Sequence, residues 1–167
     1  MKHLTLALLA SAAAACVLAP YAAPANTPFT AQFQTSFGNA TAHPCPSGAF
    51  LCGAGTVGGR GDATLSFAIT GVGSFDGSCI GVTATQTISL ADGSGSLTLV
   101  GTGVFCAPTA SAVRLTNGLK SFGNPYAVDL DYTAVAGTGV FQNASGSGVL
   151  AGKVAGDSGH LELSGTT

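Results

Sequence analysis

Apolar and polar residues alternate one by one through most of the chain after residue 28, which is the pattern of β-strands that bury one face. The alternation is clearest over 29–37, where Phe29, Phe33 and Phe37 share one face. Further runs of the same kind lie at 65–69, 79–106, 112–116, 126–132, 149–154 and 160–163. Because turn residues separate these runs, we predict about eight antiparallel strands.

The predicted strands form one all-β domain over 26–167, since no linker or change of composition divides this part of the chain. A single antiparallel barrel fits best, because closing the sheet leaves no exposed edge. A β-sandwich is the alternative. A β-solenoid is less favoured, because it needs a fixed repeat and the glycine-rich copies at 71, 101 and 137 are unevenly spaced.

One hairpin can be predicted residue by residue. Asp92-Gly93 separates two alternating runs within 79–106, and this dipeptide favours a two-residue β-turn. Such a turn places Cys79 opposite Cys106, and opposed residues of an antiparallel pair have Cα atoms about 4.5–5.5 Å apart, which suits a disulfide. A four-residue turn over 92–95 would instead place Cys106 opposite Gly81 and weaken this pairing.

The N-terminal segment has the features of a secretory signal peptide. A short positive start precedes an apolar run, and Ala23-Pro24-Ala25 matches the A-x-A cleavage pattern. We therefore predict a helical signal peptide over 1–25, a secreted, extracellular mature chain and no stable membrane span. Lipid anchoring through Cys16 is the alternative.

Removal of the signal leaves four cysteines, an even number that fits disulfide bonding in an oxidising compartment. The favoured pairs are Cys45–Cys52 and Cys79–Cys106. The alternative for the first pair is a zinc site that includes His43, which would need reduced thiols and a fourth ligand. The sequence otherwise predicts neither a metal nor a cofactor.

Charged residues are scarce and scattered. Five Lys and Arg against seven Asp and Glu give a net charge of −2, and the basic residues form no cluster. Nucleic acid is therefore not an expected partner, since its binding needs grouped basic side chains. Asp129 and Asp131 are a speculative acid–base pair, because residues two apart in a strand point to the same side. The favoured interpretation is that they form the solvated face of a strand.

The run 53–58 matches G-x-G-x-x-G. In a dinucleotide site this motif follows a strand and opens a helix. Here it runs into another glycine-rich stretch with no helix pattern after it. We therefore predict a turn or loop and no phosphate site.

The pentapeptide Gly-Thr-Gly-Val-Phe begins at Gly101 and again at Gly137. In the second copy, glycines at Gly137 and Gly139 permit a bulge or a positive φ where a strand ends. We expect Phe141 to close the barrel at that end. The repeat then reflects packing at the barrel ends rather than repeated chemistry.

The second copy continues to Ala144 and Gly146, which we expect to begin the return strand. The whole stretch 132–146 resembles a signature of the allene oxide cyclase-like and dirigent-like barrels. More loosely, the chain over 50–167 is similar to small secreted bacterial proteins of uncharacterised function. The resemblance implies an eight-stranded antiparallel barrel with an apolar central cavity. Dirigent proteins bind phenoxy radicals and allene oxide cyclases fold a fatty-acid epoxide, but no pocket residue of either family matches a position here.

Three functions follow as expectations. The first is a secreted, non-catalytic barrel that binds a small apolar ligand, because inward Phe, Leu and Val residues line the predicted barrel. The alternative is a structural or adhesive cell-surface or matrix protein, because Thr83, Thr85 and Thr87 form an uncharged row. An isomerase or cyclase of the allene oxide cyclase type is third.

Overall fold

The structure, a computed structural model, describes residues 27–37, 45–108 and 125–167. In this part the chain forms eight β-strands and no helix, which confirms the predicted all-β fold. The strands are β1 (Pro28–Phe37), β2 (Leu51–Val57), β3 (Gly61–Asp76), β4 (Cys79–Leu90), β5 (Gly95–Cys106), β6 (Tyr126–Gly139), β7 (Ser147–Ala155) and β8 (Ser158–Thr166).

The eight strands close into one antiparallel barrel, in which each strand pairs with the next along the chain. The last strand, β8, pairs with β1, from Pro28 opposite Thr166 to Ser36 opposite Ser158. The described sheet therefore has no free edge. The barrel is confirmed, and its closure excludes the sandwich and the solenoid.

The alternation along each strand buries one face inside the barrel. In β1, every second residue from Phe29 to Phe37 is buried. All eight strands contribute to one hydrophobic core, whose most deeply buried side chains include Phe33, Phe67, Ile88, Leu97, Leu99 and Leu130. The core of this protein is thus the barrel interior.

The strand missed by the sequence prediction is β2, which holds all but the last residue of the G-x-G-x-x-G run. The prediction of a turn or loop at 53–58 is wrong. Its glycines occupy inward positions, where the sequence of a strand normally has apolar residues, so the alternation typical of a strand is missing. A Cβ at Gly53 or Gly55 would collide with the carbonyl oxygen of Gln34 or Gln32, so glycine is what lets β1 lie this close. The strand predicted at 112–116 lies outside the described residues.

The hairpin of β4 and β5 has the predicted register, with Cys79 opposite Cys106. Its loop is longer than predicted, since β4 ends at Leu90 and β5 begins at Gly95. Gly93 adopts a φ of +74° in this loop, a conformation that favours glycine. The register survives because the extra residues extend the loop equally on both sides.

Both predicted disulfides are present. Cys45 is bonded to Cys52 and Cys79 to Cys106, with Cα–Cα distances of 5.4 and 4.0 Å. The first bond excludes the zinc alternative, because a disulfide sulfur is no longer a thiolate ligand. Disulfides form and persist in oxidising compartments, so the pairing is compatible with an extracellular protein.

One end of the barrel, here called the Phe105 end, is filled by aromatic rings. Phe105 is fully buried and stacks on Tyr126, with ring centroids 5.4 Å apart. The rings of Phe50 and Phe67 each lie 6.1 Å from Phe105. Cys106 directly follows Phe105, so the disulfide to β4 lies at this same end.

The opposite end, here called the Phe141 end, is closed as predicted by Phe141, which is 1% exposed. β6 stops at Gly139, whose φ is +56°. The return strand begins later than predicted, at Ser147, so Ala144 and Gly146 lie in the loop that precedes it. Gly146 is still tied to β6, because its carbonyl accepts a hydrogen bond from the Ala134 N–H at 2.8 Å.

The predicted signal peptide over 1–25, which includes Cys16, lies outside the described residues. Within the described ranges, no helix has the length and apolar character needed to cross a bilayer.

Candidate ligand-binding groove

A groove crosses the outer face of the barrel over β1–β4. Its floor consists of two neighbouring rows of paired residues that run from strand to strand. The first row is Gln34, Ala54, Thr64 and Ser89, and the second is Ser36, Cys52, Ser66 and Thr87. Since adjacent strands lie about 4.8 Å apart, a row across four strands is roughly 15 Å long.

The groove owes its depth to small side chains and to one raised wall. Pro46 and Cys52 line it, and the Cys45–Cys52 disulfide holds the residues before β2 against β1. Cys45 Sγ lies 3.6 Å from the carbonyl oxygen of Ser36. The resulting volume is about 670 Å³, which lies within the range of roughly 300–1,000 Å³ that small-molecule sites occupy.

The lining of the groove is uncharged among the described residues. Ala54 and Pro46 supply apolar surface, while Thr64 and Ser66 are among the residues that supply hydroxyl groups. A charged ligand would lose hydration here without gaining an ion pair. The groove therefore suits an uncharged ligand that is largely apolar and makes a few hydrogen bonds.

A chain of three polar side chains borders the groove where β1 meets β8. Gln34 lines the groove, and its Nε2 lies 2.9 Å from His160 Nδ1. The other ring nitrogen of His160, Nε2, lies 3.0 Å from Glu162 Oε1. His160 and Glu162 are two residues apart on β8, so both side chains point outward.

This arrangement fixes the imidazole rather than freeing it for catalysis. A carboxylate only accepts hydrogen bonds, so Glu162 receives the proton on Nε2 of the neutral ring. Nδ1 is then the acceptor for the Gln34 amide. A general base needs a nitrogen within reach of a substrate proton, and both nitrogens of His160 already have partners.

The speculative pair Asp129 and Asp131 lies elsewhere, on the outer face of β6. Both residues are exposed, which confirms the interpretation as a solvated strand face. Asp131 borders a second, shallower groove of about 570 Å³ across β5–β7, together with Val135 and Val149. Nothing in this geometry desolvates one carboxylate against the other, as acid–base work by such a pair requires.

Polar groups inside the barrel are enclosed by backbone. Gln86 is fully buried, and a Cβ at Gly101 would lie 3.1 Å from its Nε2. The Tyr132 hydroxyl lies against Gly148 and Gly165 in the same way, and burial raises the pKa of Tyr132 to about 12. Where the family resemblance implies a central cavity, these positions hold packed side chains.

The residues of the second Gly-Thr-Gly-Val-Phe copy are not part of the groove. Gly137, Gly139, Phe141, Ala144 and Gly146 are absent from its described lining. Phe141 instead closes the Phe141 end, and Ala144 packs against the core. In the structure this motif forms the end of β6 and the loop before β7, not a part of the groove.

The groove and its polar border were missed by the sequence prediction for separate reasons. The groove depends on β2, which was predicted as a loop. The pair His160 and Glu162 does have a local signal, because the residues alternate on one strand. The contact between Gln34 and His160 has none, since 126 positions separate the two residues.

Comparison with known proteins returns no match: no protein-family model, curated protein or solved structure matches the chain. The resemblance to the allene oxide cyclase-like and dirigent-like barrels therefore stays a prediction.

Proposed function

We propose that the protein is a secreted, non-catalytic binding protein that holds a small, uncharged and largely apolar ligand. The binding site is the groove on the outer face of β1–β4. The observation that carries the proposal is a concave site of about 670 Å³ whose described lining combines apolar side chains with hydroxyl groups and no charge. Apolar burial supplies the affinity of such sites, and a few polar groups fix the orientation of the ligand.

Two further observations support this function. The wall of the groove depends on the Cys45–Cys52 disulfide, which needs an oxidising compartment to persist. The interior, where an eight-stranded barrel can otherwise hold a ligand, is occupied by core side chains such as Phe33 and Ile88. We therefore place the ligand site on the outer face of the barrel.

The test is a fluorescence titration with Nile red, an uncharged apolar dye, followed by displacement with decanol. Ala54→Arg places a bulky charge on the floor of the groove, at an exposed position. Ala151→Arg on the outer face of β7 is the matched control, because Ala151 is also an exposed strand alanine. We expect Ala54→Arg to weaken dye binding at least tenfold and Ala151→Arg to leave it unchanged. Equal effects of both variants, or no dye binding at all, would overturn the proposal.

A structural or adhesive role is the second candidate, favoured by one surface. The outer side chains of β4 and β5 pair Thr83 with Thr102, Thr85 with Val100 and Thr87 with Thr98. This surface is uncharged and regular, and it could lie against a neutral polysaccharide. Co-sedimentation with insoluble glycans tests it, using Thr85→Lys to disrupt the surface. Sedimentation that Thr85→Lys abolishes, without dye binding in the groove, would favour this second function.

A further inference from the structure

We propose that Gln34 forms a hydrogen bond with the polar head group of the ligand. His160 and Glu162 hold the side-chain carboxamide of Gln34 so that its Oε1 is directed into the groove. This inference rests on the proposed function of the groove. It names the ligand class: an apolar molecule that carries a neutral hydrogen-bond donor at one end, such as a fatty amide or a long-chain alcohol.

The position of Gln34 determines what the groove presents. Gln34 lies between His160 on β8 and Ala54 on β2 in the register of the sheet. Its Nε2 is directed to His160, 2.9 Å away. The nitrogen and oxygen of a carboxamide lie on opposite sides of its bond to the side chain, so with Nε2 held at His160 we infer that Oε1 is on the side of β2 and the groove. The described residues give this oxygen no other partner, so it is free to accept a hydrogen bond from a ligand.

Glu162 determines the orientation of the Gln34 carboxamide through His160. The carboxylate accepts the Nε2 proton of His160, which leaves Nδ1 as an acceptor. Only the amide nitrogen of Gln34 can donate to that acceptor, so the reversed carboxamide is excluded while the ring is neutral. Glu162 and His160 are thus positioning residues for Gln34, because their hydrogen bonds fix the orientation of the side chain that contacts the ligand.

Protonation of His160 reverses this arrangement. A charged imidazole donates from both nitrogens, so the carboxamide must turn by half a rotation and give Oε1 to Nδ1. The groove then presents an N–H donor in place of an acceptor. The ionisable groups that face His160 are Glu162 on its own strand and Lys153, opposite it on β7. The facing side chains of β1 (Gln32, Gln34 and Ser36) are uncharged. Acidification that protonates the histidine ring should therefore abolish the preference for a donor head group.

Two probes of equal chain length differ in whether the head group can donate: decanamide both donates and accepts hydrogen bonds, whereas methyl decanoate only accepts. Each is used to displace Nile red at about pH 8 and about pH 5.5. At the higher pH we expect decanamide to displace the dye at a concentration roughly three- to tenfold lower than methyl decanoate, the worth of one hydrogen bond. At the lower pH the ratio should fall to about one, because both probes carry a carbonyl that accepts from the reversed carboxamide.

Variants assign the effect to named side chains. Gln34→Ala should remove both the preference and its pH dependence while Nile red still binds. His160→Ala should remove the pH dependence, because the Gln34 carboxamide then has no imidazole whose protonation could reverse its orientation. Gln32→Ala is the matched control, since Gln32 is the neighbouring outward glutamine on β1, and it should change neither.

A direct readout needs no ligand. Ring ¹⁵N shifts of His160 at about pH 8 should show the proton on Nε2, and a proton on Nδ1 would overturn the inference. If both probes displace the dye with a ratio that ignores pH and Gln34→Ala, the inference fails while the proposed function stands. If neither Nile red nor either probe binds, the proposed function fails and takes the inference with it.

Discussion

The two copies of Gly-Thr-Gly-Val-Phe close opposite ends of one barrel by different local structures. The copy at 101–105 lies wholly inside β5, and Phe105 points inward as an ordinary strand residue. The copy at 137–141 contains the end of β6 at Gly139, after which the chain turns and Phe141 packs over the interior. The same five residues thus form a continuous strand in one place and the end of a strand in the other.

The difference comes from the neighbouring strands rather than from the pentapeptide. The first copy has partners on both sides, since residues of β4 and β6 pair along it. In the second copy, Gly139 pairs with Gly95, the first residue of β5. β6 therefore loses this partner strand beyond Gly139, and the positive φ of that glycine starts the turn.

The two ends also differ in how they are reinforced. The Phe105 end has the larger set of stacked rings and the Cys79–Cys106 disulfide. At the Phe141 end, Phe141 packs edge-on against Phe29, with centroids 6.4 Å apart. The guanidinium of Arg60 lies 4.7 Å from the centre of the Phe141 ring. We expect the Phe105 end to contribute more to stability, and five experiments test this.

The largest effect is expected from Phe105→Ala. The ring is fully buried and lies within 6.1 Å of three other aromatic rings. Its loss should lower the free energy of unfolding by about 4–5 kcal/mol, because the disulfide beside it hinders collapse around the cavity. Urea denaturation measures the change. A loss below about 2 kcal/mol would mean that this end repacks freely.

Phe141→Ala should be somewhat milder, at about 3–4 kcal/mol, since the ring has fewer aromatic neighbours at an end without a cross-link. Phe75→Ala is the matched control. Phe75 ends the glycine-rich stretch 71–75, which resembles the two pentapeptide copies. It is 43% exposed, so its truncation should lower the free energy of unfolding by less than about 1 kcal/mol. Similar losses for Phe75 and Phe141 in urea denaturation would contradict the assigned burial.

Removal of the Cys79–Cys106 disulfide by paired serine substitutions should lower stability by about 3 kcal/mol. The Cys45–Cys52 bond closes a shorter loop, with a sequence separation of 7 against 27, so its removal should cost nearer 2 kcal/mol. Thermal unfolding of the two double variants measures both. The reverse order would show that the loop before β2 depends on its cross-link more than the hairpin does.

Alkaline pH should loosen the Phe141 end first. Burial raises the pKa of Tyr132 to about 12 from an ordinary value of 10.0, and it raises the pKa of Tyr126, at the Phe105 end, further. A raised pKa means that the folded state holds the proton more tightly. The stability that Tyr132 contributes is therefore complete below pH 10 and is lost as the pH rises towards 12.

Tyr132→Phe tests this titration. Its hydroxyl has no hydrogen-bond partner among the described residues, so its removal should change stability little at neutral pH. The variant should lose less stability than the parent protein between about pH 10 and 12. Urea midpoints across that range measure the difference, and parallel curves for the two proteins would refute the assignment.

The smallest effect is expected from Arg60→Ala, which removes the cation over the Phe141 ring. Exposed cation–π pairs contribute about 0.5–1 kcal/mol. Arg60→Lys is the control, because it keeps the charge and should recover part of the loss in urea denaturation. An unchanged stability in Arg60→Ala would show that burial alone holds Phe141 in place.

The features predicted correctly are those that neighbouring residues determine. The inward face of β1, the register of the β4–β5 hairpin and the burial of Phe141 each follow from alternation or from turn residues close in sequence. The register also aligned Cys79 with Cys106. Local patterns specify such features because the period of a strand is fixed at two residues.

The features that were missed depend on contacts between distant strands. The sequence of β2 resembles a loop because its inward positions are glycines. Glycine is needed there because β1 lies too close for a Cβ atom. Gln34 meets His160 only because β8 closes the barrel against β1. A sequence pattern predicts that a barrel closes, but not which polar side chains the closing pair of strands brings together.

The closing pair of strands has one more consequence. Thr27 and Thr167 exchange both backbone hydrogen bonds, at 3.2 and 3.0 Å, and so stand as close as the two arms of a hairpin. The order of the strands is therefore cyclic, and the pairing of β8 with β1 is equivalent to the pairing of any other two neighbouring strands. A circular permutant that links Thr167 to Thr27 and opens in the 91–94 loop would thread the same strands in the same register.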